Sequence, residues 1–141
     1  MTKKFLPFLP VILIILLPLA FFNSAAIGRD LIILGDFTGS DLLDLHYPFK
    51  AVLSEAVRNF SLPLWTPDLA MGFPLFAEGQ SGSLYPPNLL LAFLPPFLAL
   101  NLSIILTFII AGLGTYLYVR SLGFTRFSAF TSAVIFMFSA F

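Results

Sequence analysis

Three apolar tracts and one polar interval divide the chain. Phe5 to Phe22 runs without a polar side chain, and Asn23-Ser-Ala-Ala extends it. A spanning helix needs about 20 apolar residues, so residues 5–26 read as a first transmembrane helix. Pro7, Pro10 and Pro18 are tolerated in such a helix where the freed backbone groups find other partners. A cleaved signal peptide is the rival reading, with Met1-Thr-Lys-Lys as its charged start and Ser24-Ala25-Ala26 as small residues. The apolar run exceeds the usual signal core of about 7–15 residues, which favours an uncleaved anchor. The second tract, Leu89 to Val119, is too long for one comfortable span, and Pro95-Pro96 divides it. Residues 89–96 then read as an interfacial or re-entrant segment, and 97–119 as the second transmembrane helix. A third tract begins near Phe127 and is still running at Phe141. At about 1.5 Å per residue it does not cross a bilayer core of about 30 Å. Residues 127–141 are therefore expected to be the truncated start of a third span, and the chain an N-terminal fragment of a longer multi-pass protein.

Between the first two tracts the pattern changes. Phe49, Val52, Leu53, Ala56, Val57 and Phe60 recur at helical spacing, with Lys50, Ser54, Glu55, Arg58 and Asn59 on the other side. This predicts an amphipathic helix near 48–60, started by Pro48, lying along a membrane surface with its apolar face down. Leu31-Ile-Ile-Leu34 reads as a short strand or a helix extension. Dense Gly and Pro after residue 61 predict ordered turns. Trp65 and Tyr85 suit interfacial anchoring. The fold class is thus all-α integral membrane, with an extracytoplasmic loop that contains an interfacial amphipathic helix.

Composition supports this picture. The chain is 59% hydrophobic and 10% charged, against about 25% charged residues in soluble domains. Its net charge of zero argues against nucleic acid as a partner. There is no Cys, hence no disulfide and no thiolate chemistry. Lys3 and Lys4 before the first span, and Arg120 and Arg126 around the turn 120–126, fall on one side. The positive-inside rule makes that side cytoplasmic, so residues 1–4 are inside and 27–88 outside.

Candidate chemistry concentrates in that outer loop. All seven carboxylates lie between Asp30 and Glu78, together with His46, the lone histidine. Asp41 and Asp44, three apart, share one face of a helical turn. Asp44 would sit just before a helix N-terminus, where the macrodipole keeps a carboxylate ionised. Asp41 with Asp44 would bind Mg²⁺ or Mn²⁺ only with help from water, a weak metal signal. Asp36 and Asp41 also suit turn formation.

Four short pieces follow one another along the loop: Asp44-Leu-His-Tyr47-Pro-Phe49, Pro63-Leu-Trp65-Thr-Pro67, Gly72-Phe-Pro74 and Ala77-Glu-Gly-Gln80-Ser-Gly82-Ser-Leu-Tyr85-Pro86-Pro-Asn88. Taken in order, they resemble the start of a YfhO-type bacterial membrane protein, within the polytopic GT-C glycosyltransferases. The tail from Ala133 to Phe141 is similar to part of the family's third span. The resemblance implies a GT-C-like enzyme of the cell membrane that transfers a sugar from a polyprenyl-phosphate donor to an envelope glycolipid or polymer. Its partners would be membrane lipids and the lipid-linked sugar. It implies Asp44 as the catalytic base or acceptor-positioning acid, with Asp41, His46, Tyr47, Glu78 and Gln80 as substrate-binding candidates. His46 departs from the Gln often found before the Tyr. Arg29, Lys50 or Arg58 would stabilise charge on the leaving phosphate. The alternative is a non-enzymatic polytopic protein, such as a lipid or polymer transporter. A transporter should carry ionisable groups inside its spans, and these spans carry none.

Overall fold

A computed structural model of the chain describes residues 8–32 and 40–139. The chain is all-α: among the described residues there is no β-strand, only an isolated bridge between Thr66 and Phe73. It divides into two compact units, one of Ser24–Ser103 and one of the residues before and after it.

The flanking unit is built from α1 (Leu9–Phe21), α5 (Pro96–Ser121) from Ile104 onward, and α6 (Arg126–Phe138). α6 starts where Thr125 Oγ1 accepts the backbone N–H of Ser128 at 3.1 Å, a side-chain N-cap. Where these helices meet, the buried residues are Ile14, Tyr116, Ala129, Ala133 and Met137. Gly112 is buried beside them, and a Cβ there would lie 2.8 Å from both Ile14 Cγ2 and Met137 Sδ. Small residues thus line the contact, while Leu16, Ile110, Leu117, Phe127 and Ile135 point outward and are exposed. α5 is the one described helix long and apolar enough to cross a membrane. α1 and α6 have 13 residues each, about 20 Å.

The central unit begins with α2 (Asn23–Ala26), which ends in a Schellman turn: Gly28 N–H bonds Ala25 O at 3.1 Å and Arg29 N–H bonds Ser24 O at 2.8 Å. Gly28 has φ +74°, and its missing side chain admits the Phe97 ring. Asn101, fully buried on α5, holds the strand-like segment that follows. Its Oδ1 accepts Ile32 N–H at 3.0 Å, and its Nδ2 donates to Ala25 O at 3.0 Å and Asp30 O at 2.7 Å. Of the apolar run at 31–34, Leu31 and Ile32 are described and form no strand.

The amphipathic segment forms α3 (Tyr47–Arg58). Two expectations change here. Pro48 does not begin the helix. A π-helical turn, Leu42–His46, precedes α3 without a break, and Tyr47 N–H reaches back to Leu42 O. Pro48 has no N–H to give to the Asp44 carbonyl and its ring crowds that group. A wider turn at that point relieves the conflict. Second, the apolar face of α3 is not free to lie on a membrane. Phe49, Leu53 and Ala56 are buried, and Phe49 stacks on Phe73 at 5.4 Å between centroids. The opposite side also makes contacts. Lys50, Ser54 and Arg58, four residues apart, donate to the stretch around the end of α4 (Pro86–Leu91). Ser54 Oγ bonds Ala92 O, Arg58 bonds Leu94 O at 2.9 Å and Phe93 O at 3.3 Å, and Lys50 bonds Asn88 Oδ1. A helix end leaves orphan carbonyls, and these donors satisfy them.

Candidate functional site

Asp44 stands on the π-turn, exposed, and among the described residues nothing hydrogen-bonds or pairs with its carboxylate. It lies in the first turn of a continuous helical run, three residues after the N-cap position at Asp41, so the N-terminal dipole favours its charged form as expected. Asp41 occupies the N-cap position but makes no side-chain cap bond. His46, on the same turn, is half-buried, and Tyr47, the next residue and the first of α3, is 37% exposed. Asp36 lies outside the described residues.

Glu78 and Gln80 belong to a second, separately built turn. Glu78 Oε1 accepts the Gln80 N–H at 3.1 Å, capping a short 3₁₀ turn, Gly79–Ser81. The buried Ser81 donates to Glu78 O at 2.7 Å and pairs with Ser83 at 2.7 Å. Gly82 has φ +58°, which favours glycine, and a Cβ there would lie 2.5 Å from Asn88 Nδ2 and push that side chain aside. Asn88 donates to Gly82 O at 3.0 Å and accepts from Lys50. The segment from Ala77 to Asn88 is therefore self-bracing, and Asn88 ties it to α3.

Of the three cations considered for phosphate stabilisation, Lys50 and Arg58 are occupied by α4 and its following turn. Burial pushes the Lys50 amine down from 10.5 to about 8. Ser103 Oγ lies 3.5 Å from it.

Among the described residues no three His, Cys, Asp or Glu side chains gather; hard cations want about six oxygen ligands, so at Asp41 and Asp44 water would have to supply the rest.

A groove of about 200 Å³, which no single motif of the sequence marks, is lined in part by Glu55, Asn59, Leu62, Trp65 and Asp68. Asp68 is held by Thr66, whose Oγ1 donates to Oδ2 at 3.3 Å. The Trp65 ring packs over Gly72, where a Cβ would approach Cζ2 to 2.5 Å. Two carboxylates and an amide oxygen there can accept hydrogen bonds from hydroxyl or ammonium groups, and the indole N–H can donate one. The i, i+4 spacing of Glu55 and Asn59 on the polar side of α3 was its signal in the sequence. Set against family models, curated proteins and solved structures, the chain matches none of them.

Proposed function

We propose that this chain is a polytopic membrane protein of YfhO type that takes part in GT-C sugar transfer. The donor would be a polyprenyl-phosphate sugar and the acceptor a cell-envelope glycolipid or polymer outside the membrane. Two features support the membrane part. α5 has the length and apolarity of a span, and in the flanking unit Gly112, Ala129 and Ala133 sit at the helix contacts among Ile14, Tyr116 and Met137 while Leu16, Ile110, Leu117, Phe127 and Ile135 are exposed. Helices packed in lipid use such small residues to approach closely.

The observation that carries the catalytic part is the π-turn bearing Asp44. π-turns are frequent at functional sites. This one presents an exposed carboxylate with no structural bond to satisfy. A base must have that freedom: it accepts the proton of an acceptor hydroxyl as the hydroxyl oxygen attacks the anomeric carbon and the phosphate leaves. His46 on the same turn and Tyr47 next to it would orient the acceptor by hydrogen bonds.

The test is transfer of labelled sugar from polyprenyl-phosphate donors by the membrane-reconstituted protein. Asp44→Asn should lower transfer by about 10²–10⁴-fold and leave the melting temperature unchanged. Full activity in Asp44→Asn would remove Asp44 as the base. Absence of transfer by the unaltered protein with every donor would leave the non-enzymatic transporter reading.

A further inference from the structure

We infer that the loop following α3 is a wedge that seats Phe60, Leu64, Trp65 and Met71 in the interfacial layer of a lipid bilayer. The inference rests on the membrane reading above and adds a second point of contact, outside the spanning helices.

The first argument is exposure. Met71 is 100% exposed and Phe60 94%. Leu64 and Trp65 are also exposed. From Asn59 to Ala77 the only charged residue is Asp68, and Thr66 holds that one at 3.3 Å.

The second is backbone conformation. Among the described residues, the non-glycine positions with positive φ are Phe60 (51°), Ala70 (47°) and Met71 (61°), all in this loop. Left-handed backbone is unfavourable for side chains with a Cβ and suits Gly or Asn. In water, either would relieve the strain at Phe60 and Met71 and remove an exposed apolar group as well. Phe and Met at these positions are disfavoured twice unless their side chains meet an apolar medium. The loop is also preshaped, since Thr66 and Phe73 exchange backbone bonds at 2.9 and 2.8 Å and the Trp65 ring rests on Gly72.

The third argument identifies the medium as lipid. Arg58, two residues before Phe60, hydrogen-bonds the carbonyls of Phe93 and Leu94, just ahead of Pro96 where α5 begins. Asn59 and Pro96 line one groove. The loop therefore leaves the structure at the level of the N-terminal end of α5. Leu90 and Phe93, just before that helix, are exposed as well. α5 has 26 residues, which is about 39 Å, against a hydrocarbon core of about 30 Å. A spanning α5 would begin at the headgroup layer, and the loop beside its first residue would share that depth. An indole is suited to this layer.

Trp65 is the only tryptophan, so its fluorescence reports on the wedge alone. The experiment reconstitutes the full chain in phosphatidylglycerol–phosphatidylcholine vesicles, with and without bromine high on the acyl chains. Bromolipid should quench Trp65 roughly two-fold, as expected for an apolar face seated at the headgroup–acyl boundary, and aqueous iodide should not. Phe60→Ser with Met71→Ser should restore iodide access. Both side chains are exposed, so folding, read by circular dichroism, should be unaffected. Quenching by iodide and not by bromolipid would overturn the wedge, and so would protection from both, which means a protein covers Trp65. Carbonate extraction separates the two levels: a chain released by carbonate refutes the membrane reading itself, whereas a retained chain with iodide-accessible Trp65 refutes only the wedge.

Discussion

The two units of this chain solve different packing problems. In the central unit large apolar side chains such as Phe49, Leu53 and Leu75 are inside. Its segments are fastened by side chains that bond backbone groups, namely Asn101, Ser54, Arg58 and Asn88. In the flanking unit Gly112, Ala129 and Ala133 share the helix contacts with Ile14, Tyr116 and Met137, and other large side chains such as Leu16, Leu117 and Phe127 face outward. Directional bonds fasten the one, whereas small residues let the helices of the other approach closely, as suits apolar surroundings. The difference teaches that a single hydrophobicity profile conceals two kinds of cohesion, one polar and directional, the other steric.

Four substitutions would break or sharpen this contrast. The largest effect on stability is expected at Asn101. Asn101→Leu strands Ile32 N–H and the carbonyls of Ala25 and Asp30, and buried unsatisfied groups cost about 1–3 kcal/mol each. A loss above about 3 kcal/mol in denaturant melts of the detergent-solubilised protein is expected. A loss no larger than that of an ordinary surface change would show that the central unit is held by apolar burial alone.

In the flanking unit the sensitive position is the smallest one. Gly112→Leu drives carbons into Ile14 and Met137 and should cost about 1–3 kcal/mol by overpacking. Leu117→Ala, on the outward side, should cost much less in lipid, where its surroundings are apolar whether or not the side chain is present. Equal losses in vesicle-reconstituted protein would contradict apolar surroundings for the outward side.

The smallest effect is a pH dependence confined to the central unit. Lys50 has a folded pKa of about 8, below its ordinary 10.5, because burial penalises the charged form. Between those values the unfolded chain binds a proton that the folded chain does not, so stability rises with pH across that window. The melting temperature should climb between about pH 8 and 10. Lys50→Met should flatten that climb whatever it does to the baseline, and an unchanged slope would show that the amine is solvated.

Helices were more legible in the sequence than what surrounds them. The recurrence of Phe49, Leu53 and Ala56 places a helix near 48–60, and a helix occupies Tyr47–Arg58. Periodicity reports which face is apolar but not what covers it. Phe73, some two dozen residues on, stacks against that face, so a lipid surface was the wrong partner to infer. Pro48 reads locally as a helix start; the π-turn that absorbs it has no pattern of its own, since Asp41 to His46 alternates polar and apolar residues irregularly. Lys50, Ser54 and Arg58 read as a solvated side, though their four-residue spacing was the sign of a common partner. For the candidate site, sequence separates Asp44 from six other carboxylates only through resemblance. The groove of Glu55, Asn59, Trp65 and Asp68 depends on a chain reversal at Ala70–Gly72 that no spacing rule announces.

That four-residue spacing along α3 has a mechanical consequence. Lys50, Ser54 and Arg58 lie along one line of the helix surface, so their grips on Asn88, Ala92 and Leu94 share a single register. Rotating α3 by one residue turns the line by about 100° and releases all three together. The helix therefore has no gradual way to swivel. It is latched or loose, and the turn that carries Asp44, continuous with its first residue, keeps one fixed bearing for as long as the latch holds.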